Sequence, residues 1–259
     1  MAYGAANDLE ATRALGRATA REARALGVHW VFAPDADVNN NPDNPIINIR
    51  SFGEDPALVA AHVKAFIQGA RSEAASPVLL TAKHFPGHGD TSTDSHLGLG
   101  VVSAPRERME QVELAPFRAA IEAGVDSVMT AHLAVPAFEP EAIPATVSRN
   151  ILTGLLRGSL GFKGIITTDA MDMLGLTNQF SAGEAAVRAV EAGADVLLAP
   201  PDPRAAVRAV TAAVQSGRIK RERLEQSVRK ILEAKARLGL HRNRLVDLEK
   251  LAEAIDSPE

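Results

Sequence analysis

The stretch Val78-Leu79-Leu80-Thr81-Ala82-Lys83-His84-Phe85-Pro86-Gly87-His88-Gly89-Asp90-Thr91-Ser92-Thr93-Asp94-Ser95-His96 changes character at Lys83. Up to Lys83 it is a short apolar run, read as a strand buried on both faces. After Lys83 it is a Gly-rich loop carrying three of the seven histidines of the chain. A strand that runs directly into an ionisable loop is the pattern of parallel α/β proteins, whose sites lie beyond the carboxyl ends of the strands.

The pattern recurs on both sides of this stretch. Runs rich in Val and Ile at 28–33, 127–132, 164–168 and 195–199 join 78–83 as expected strands, and segments of helical period separate them. Asn7 is expected to cap a helix that closes at Gly27. Asp55-Pro56 opens another, with Leu58, Val59, Val63, Phe66 and Ile67 on one face. Gly27, Gly124, Gly161 and Gly193 fall where helices should stop. Ser148 precedes Ile151, Leu152, Leu155 and Leu156, and Ser181 with Glu184 has the spacing of a capping box. The last helix, about 221–238, is expected to be amphipathic through Leu224, Val228, Ile231 and Leu232.

Such strands must be covered on both faces, by a closed barrel or by an open doubly wound sheet. Polar clusters after several different strands favour the barrel, because an open sheet gathers them at one switch point. The expected fold is α/β, a (β/α)8 TIM-type barrel. Five strands are countable where such a barrel has eight, so the expectation is an incomplete barrel lacking its N-terminal units. Residues 1–242 would form the partial barrel domain, and 243–259 a linker or the start of a truncated C-terminal region.

Composition narrows the function classes. With 259 residues, a formal net charge of −4 and dispersed Lys and Arg, the chain has neither a basic stripe for nucleic acid nor a polybasic membrane anchor. No stretch approaches the ~20 apolar residues of a membrane span. The absence of cysteine excludes disulfides, thiolate metal sites and a cysteine nucleophile. Met1 to Leu9 contain neither a basic segment nor an apolar core, and the expected location is cytoplasmic.

The second polar feature is Gly164-Ile165-Ile166-Thr167-Thr168-Asp169-Ala170-Met171-Asp172-Met173, where a buried strand ends in a carboxylate at the barrel mouth. Packing explains Asp169 poorly. Asp172 reads as a capping carboxylate, and Asp195, which opens its strand at the opposite rim, as structural. His84, His88, Asp90 and His96 could alternatively ligate a divalent ion, or the loop could be a solvated set of satisfied polar groups. His132 ends the 127–132 strand at the same rim; it either lines a pocket or bonds a neighbouring loop. His29, His62 and His241 show no functional partner. Asn39-Asn40-Asn41-Pro42-Asp43-Asn44-Pro45 is turn-forming.

The run Lys83 to Thr91 with Asp94-Ser95-His96, the segment Arg50-Ser51-Phe52-Gly53-Glu54-Asp55-Pro56, and Thr168-Asp169-Ala170-Met171-Asp172-Met173 resemble the N-acetylglucosaminidase (NagZ-like) branch of glycoside hydrolase family 3. The resemblance runs along essentially the whole chain, and the Asp-Ser-His triplet is specific to that branch. It implies a retaining β-N-acetylhexosaminidase without metal or organic cofactor. Asp169 matches the nucleophile, His96 the acid/base and Asp94 its partner, while Arg50, Lys83 and His84 match residues that hold sugar hydroxyls; His132 is counted provisionally with them. Family members begin with further barrel strands, one leading to an acidic, Gly-rich loop whose aspartate binds sugar hydroxyls, and no such segment precedes Met1 here.

Retaining hydrolysis needs a carboxylate to attack the anomeric carbon and a proton donor for the leaving oxygen. A carboxylate two residues from a histidine can bond its other ring nitrogen and fix its tautomer. Because a neutral imidazole adds no negative charge beside the glycosyl-enzyme, phosphate could replace water as acceptor, and a phosphorylase is the near alternative. A non-catalytic sugar-binding remnant is the distant one. The expected partner is a small saccharide: a peptidoglycan fragment, a chitin oligomer or an aryl glycoside. Neither nucleic acid nor membrane is expected, and exposed barrel edges are expected to promote self-association.

Overall fold

The structure, a computed structural model, describes residues 1–249 and 251–255. Helices α1 (Ala2–Ala6) and α2 (Leu9–Ala25) lead into strand β1 (Trp30–Val31), and α3 (Pro56–Ser72) into β2 (Leu79–Phe85). After β3 (Gly100–Val101), helices α4 (Arg106–Gln111) and α5 (Ala115–Glu122) lead into β4 (Ser127–Thr130). Strand β5 (Leu133–Ala134) pairs with β3, and a π-helical segment, Asn150–Ser159, leads into β6 (Ile165–Thr167). Helices α6 (Leu174–Thr177), α7 (Ala182–Ala192), α8 (Pro203–Gln215), α9 (Arg221–Arg237) and α10 (Leu251–Ala254) complete the order.

The main sheet runs β1-β2-β4-β6, parallel throughout. The expected fifth strand joins it through a single parallel bridge, Thr167 to Val196. Its neighbouring bonds are Val196 N to Ile166 O at 3.1 Å and Thr168 N to Val196 O at 3.0 Å. Neighbours in sequence are thus neighbours in space, with helices between them, and the fold is TIM-like: an arc of a parallel barrel. Among the described residues no strand pairs with the outer edge of β1 or of segment 195–199. The first strand is shorter than 28–33, although His29 O and Ala33 O still accept from Leu79 N and Thr81 N, each at 2.9 Å. The ladder resumes at once, with an Asp35–Lys83 bridge and Ala36 N bonded to Lys83 O at 2.6 Å.

Burial follows the periodicity. Val59, Val63, Phe66 and Ile67 of α3, Phe117 of α5, and Ile151, Leu152, Leu155 and Leu156 of the π-helical segment form one core with Leu80, Ala82, Val128 and Ile166 of the strands. Helices α2 and α3 meet at glycines. A Cβ on Gly16 would lie 2.2 Å from Phe66 O, and one on Gly69 2.0 Å from Arg13 O, so no larger residue permits this approach. The helix caps are as expected at Asp55 (Leu58 N to Oδ1, 2.7 Å), Ser148 and Ser181, and Gly27, Gly124, Gly161 and Gly193 all have positive φ. Glu184 leaves its half of the capping box to bind Arg188 and Arg218.

Two expectations are corrected. Asp8, not Asn7, caps α2, accepting from Glu10 N and Ala11 N; Asn7 ends α1 at φ 48°. Helix α9 turns its polar face inward: Ser227, Ala234 and Leu238 are buried, whereas Val228 and Leu232 are 46% and 59% exposed. The cause is Asp195, whose fully buried carboxylate receives Arg157 at 2.7 Å, Ser227 Oγ at 2.6 Å, Lys230 at 3.2 Å, Arg223 at 3.4 Å and Ile166 N at 3.0 Å. An unpaired buried carboxylate costs several kcal/mol, more than the part of the ~1.5–3 kcal/mol per side chain forgone by half-exposing Val228 and Leu232. Of the expected terminal segment 243–259, Val246 approaches Gly27, and Lys250 and 256–259 lie outside the described residues.

Burial alone would push Asp195 up, but the bonds from Ser227 and Ile166 N and the charges of Lys230 and Arg157 outweigh it and hold the carboxyl below its ordinary value. Its contribution is therefore present above pH ~4 and lost as the pH falls through the lowered value. Asp195→Asn is expected to destabilise the chain by about 3–5 kcal/mol at pH 7, read from urea midpoints, with the difference from the parent shrinking below pH ~4.

Candidate active site

The carboxyl ends of the strands surround a cleft of about 190 Å3 lined by Phe32, Ile46, Arg50, Lys83, His84, His88, Ser95, His96, Met129, Asp169 and Leu198. It is smaller than the pockets of about 300–1,000 Å3 that take drug-sized ligands, and suits a single ring. Larger clefts of about 540 and 690 Å3 lie elsewhere, along helix faces dominated by charged groups around Arg218 and by the exposed side of α9. Neither gathers polar groups from several strands.

The floor of the cleft is built around Asp37, which follows β1 and is fully buried. Its carboxylate accepts from His84 N at 3.1 and 3.2 Å, His84 Nδ1 at 2.8 Å and His88 N at 2.6 Å. One side chain thereby fixes both the backbone that leaves β2 and the imidazole of His84. Burial drives the His84 ring down to about 4 despite the neighbouring carboxylates Asp35 and Asp169, so it is neutral at pH 7. With Nδ1–H donating to Asp37, Nε2 is an acceptor, and it meets Arg50 Nη2 at 3.2 Å and lies 3.9 Å from Asp169 Oδ2.

Asp169 stands two residues beyond β6. Oδ1 accepts Ala170 N at 2.8 Å, which leaves Oδ2 toward the cleft. Thr168 holds this strand end to its neighbour, its Oγ1 accepting Leu198 N at 2.9 Å. Across the cleft, Asp94 Oδ1 accepts both His96 N and His96 Nδ1 at 2.8 Å, which orients the ring and frees Nε2. Burial would raise Asp94, but the two bonds from His96 outweigh it and hold the carboxyl below its usual range. Asp169 and His96 are 73 positions apart (169 − 96) and line the same cleft.

Arg50, Lys83 and His84 therefore converge with Asp169, Asp94 and His96. His132 does not. It is fully buried, with Nδ1 on Thr146 Oγ1 at 2.8 Å and Nε2 on Ala170 O at 2.9 Å. Both ring nitrogens are used, so its place among sugar-binding residues is corrected: it braces the peptide that follows Asp169. Asp172 is exposed, and His62 is a core histidine bonded to Thr12 and stacked on Phe52.

The quartet His84, His88, Asp90 and His96 does not assemble as a metal site; these residues bond Asp37, Ser95, Arg108 and Asp94 respectively. Among the described residues, the group that lies close enough for a cation is Asp35, Asp37 and His84. Asp37 already receives N–H groups on both oxygens, His84 Nδ1 carries a proton, and the cations Lys83 and Arg50 adjoin, so this set orients an imidazole rather than cradling an ion. Asp35 and Asp37 were missed in the sequence, although each follows a strand end as Asp169 does.

Asp35 is nine-tenths buried, its Oδ2 has no hydrogen bond, and Arg50 Nη2 stands 3.6 Å away. Burial first, and the charge of Asp37 second, push its carboxyl up to about 7. A group raised in the folded state stabilises fully below its unfolded value and loses that contribution as the pH rises through the folded one. Asp35→Asn is thus expected to gain stability relative to the parent as the pH rises from about 4 to about 7, measured by urea midpoints across that range.

A TIM-like barrel arc with a carboxylate and a carboxylate-held imidazole lining one cleft at its carboxyl rim defines the class of site. The family model "Glycosyl hydrolase family 3 N terminal domain" matches residues 1–234, and the chain belongs to that family. It is similar to a "Beta-hexosaminidase A" of Pseudoalteromonas piscicida, 42% identical over 213 residues, covering 76% of this chain and 34% of that protein. It is similar in structure to a glycoside hydrolase family 3 β-N-acetylglucosaminidase from Paenibacillus sp. str. FPU-7, with TM-score 0.91 and 45% identity over 98% of this chain and 50% of that one. A "Beta-glucoside phosphorylase BglX" aligns with TM-score 0.92 and 33% identity over 98% of this chain and 47% of its own. The chain thus spans between a third and a half of the length of these relatives.

Proposed function

We propose that this chain carries the reacting site of a retaining β-N-acetylhexosaminidase, which releases terminal β-linked N-acetylglucosamine from a small saccharide. The observation that carries the reading is that Asp169 and His96, whose ring is held by Asp94, line one cleft sized for one ring. The names of the relatives, a β-hexosaminidase and a β-N-acetylglucosaminidase, support the sugar.

In the first step Asp169 Oδ2 attacks the anomeric carbon while the proton on His96 Nε2 passes to the leaving oxygen, giving a glycosyl-aspartate and the free alcohol. In the second, the now neutral Nε2 takes a proton from water, whose oxygen displaces Asp169 and restores the β-configuration. Asp94 keeps the ring oriented through both steps. Arg50, Lys83 and neutral His84 offer hydrogen-bond donors and one acceptor for sugar hydroxyls, and His84 adds no positive charge that would pair with Asp169 and weaken the nucleophile.

A second reading replaces water by phosphate. The proton donor here is an imidazole, which when neutral does not repel an anion, and the structure resembles that of a β-glucoside phosphorylase. Product analysis separates them: hydrolysis gives N-acetylglucosamine at any phosphate concentration, phosphorolysis its 1-phosphate.

Asp169→Asn is expected to lower kcat/KM for p-nitrophenyl N-acetyl-β-glucosaminide by about three orders of magnitude or more. His96→Ala should lose about 10²–10⁴-fold. Arg50→Ala should mainly raise KM, by about tenfold. An Asp169→Asn chain that keeps parental activity would remove the carboxylate from the reaction.

A further inference from the structure

Of the triplet Asp94-Ser95-His96, only the middle residue is anchored. The His96 side chain is 55% exposed and that of Asp94 25%, whereas Ser95 is 2% exposed. Leu97, which follows, is 72% exposed. The bonds between Asp94 and His96 are internal to the loop and cannot decide where the pair stands relative to Asp169. Among the described residues two hydrogen bonds from outside can, and both fall on Ser95: Gly175 N donates to its carbonyl at 3.1 Å, and its hydroxyl meets His88 Nε2 at 2.9 Å. A Cβ on Gly175 would lie 2.9 Å from Ser95 O and 3.0 Å from Gly98 O, so the loop rests directly on that backbone.

His88 is itself held firmly. It is 2% exposed, its amide donates to Asp37 at 2.6 Å, its carbonyl accepts from Asn44 Nδ2 at 2.8 Å, and its ring stands edge-on to His84 at 6.0 Å between centroids. Nδ1 is enclosed and has no hydrogen-bond partner. A bare buried lone pair is more common than a bare buried N–H, which puts the proton on Nε2, so that the ring donates to Ser95 Oγ. Burial also lowers the His88 ring from its ordinary value and keeps it neutral, which spares it an unpaired Nδ1–H.

We propose that His88 is a positioning residue: through its bond to Ser95 it latches the proton-donor loop to the Asp37-centred floor and sets where His96 stands over the cleft. The proposal rests on the hydrolase reading for its catalytic consequence, though the latch itself is a matter of geometry. It also gives a role to a buried histidine of the Gly-rich loop that lines the cleft and hydrogen-bonds Ser95. A misplacement of about 1 Å in a reacting group can cost ~10²-fold in rate, so one positioned bond can govern proton transfer.

The test uses the leaving group. A 2,4-dinitrophenolate departs without protonation, whereas phenolate needs the donor, and kcat/KM reports the first step. His88→Ala and Ser95→Ala are expected to lose about 10–100-fold in kcat/KM on phenyl N-acetyl-β-glucosaminide and less than about threefold on the dinitrophenyl glycoside. The double variant should lose no more than either single one, as two residues acting through one bond require. His88→Gln, which can place an amide N–H near the position of Nε2, should regain most of the loss. Equal losses on both glycosides, or additive losses in the double variant, would overturn the latch.

Amide hydrogen exchange decides the same question without turnover. Residues 93–98 should exchange faster in His88→Ala and Ser95→Ala than in the parent, with residues 165–169 unchanged; an unchanged loop refutes the proposal. If the parent cleaves neither glycoside the hydrolase reading fails, and the exchange result still judges the latch. Should His88→Ala fail to fold, Ser95→Ala and His88→Gln supply both readouts.

Discussion

The site depends on one buried carboxylate. Asp37 accepts N–H groups from His84, twice, and from His88, and so unites the end of β1 with the peptide that leaves β2. A carboxylate without solvent must collect such donors or lose its charge. Having collected them, it dictates the His84 tautomer, the aim of Nε2 at Arg50 and Asp169, and the seat of His88. The pair above, Asp94 with His96, is joined to this floor through the bond between Ser95 and His88. The floor of the cleft is thus rigid and buried, and the pair above it is exposed.

The two rims of the arc treat the same residue type in opposite ways. At the amino ends of the strands, Asp126 and Asp195 are buried and crowded by cations: Asp126 accepts Leu80 N at 3.0 Å and binds Arg71 and Arg237, and Asp195 binds Arg157, Arg223 and Lys230. These carboxylates tie α9 across the base of the sheet, and their charge is spent. At the carboxyl ends, Asp169 keeps one oxygen clear of protein donors and Asp35 lacks a hydrogen bond on Oδ2. What separates the aspartates of the two rims is how many donors the surrounding helices and loops bring to each.

Charge neutralisation also decides the orientation of α9 against its own hydropathy. Leu224, Val228, Ile231 and Leu232 make the apolar stripe that periodicity would place inside, yet Arg223, Ser227 and Lys230 face inward because Asp195 requires them. The cost of an unpaired buried ion exceeds that of half-exposing two aliphatic side chains. Amphipathic period indicated that a helix lies here and misjudged which side it buries.

Local chemistry in the sequence was enough to place the five parallel strands, the helix stops at Gly27, Gly124, Gly161 and Gly193, the caps at Asp55, Ser148 and Ser181, and the carboxylate of Asp169 just beyond the end of β6. Each depends on residues within a few positions of one another, where sterics and hydrogen bonding act without the rest of the chain. Tertiary structure alone decided that His132 is used up by Thr146 and Ala170, that Asp37 underlies His84, and that Ser95 is the anchored member of its triplet. In each case the partner lies elsewhere in the chain, 47 positions away for Asp37 and His84 and 80 (175 − 95) for Ser95 and Gly175, and which donor meets which acceptor is settled only when the strands bring their ends together.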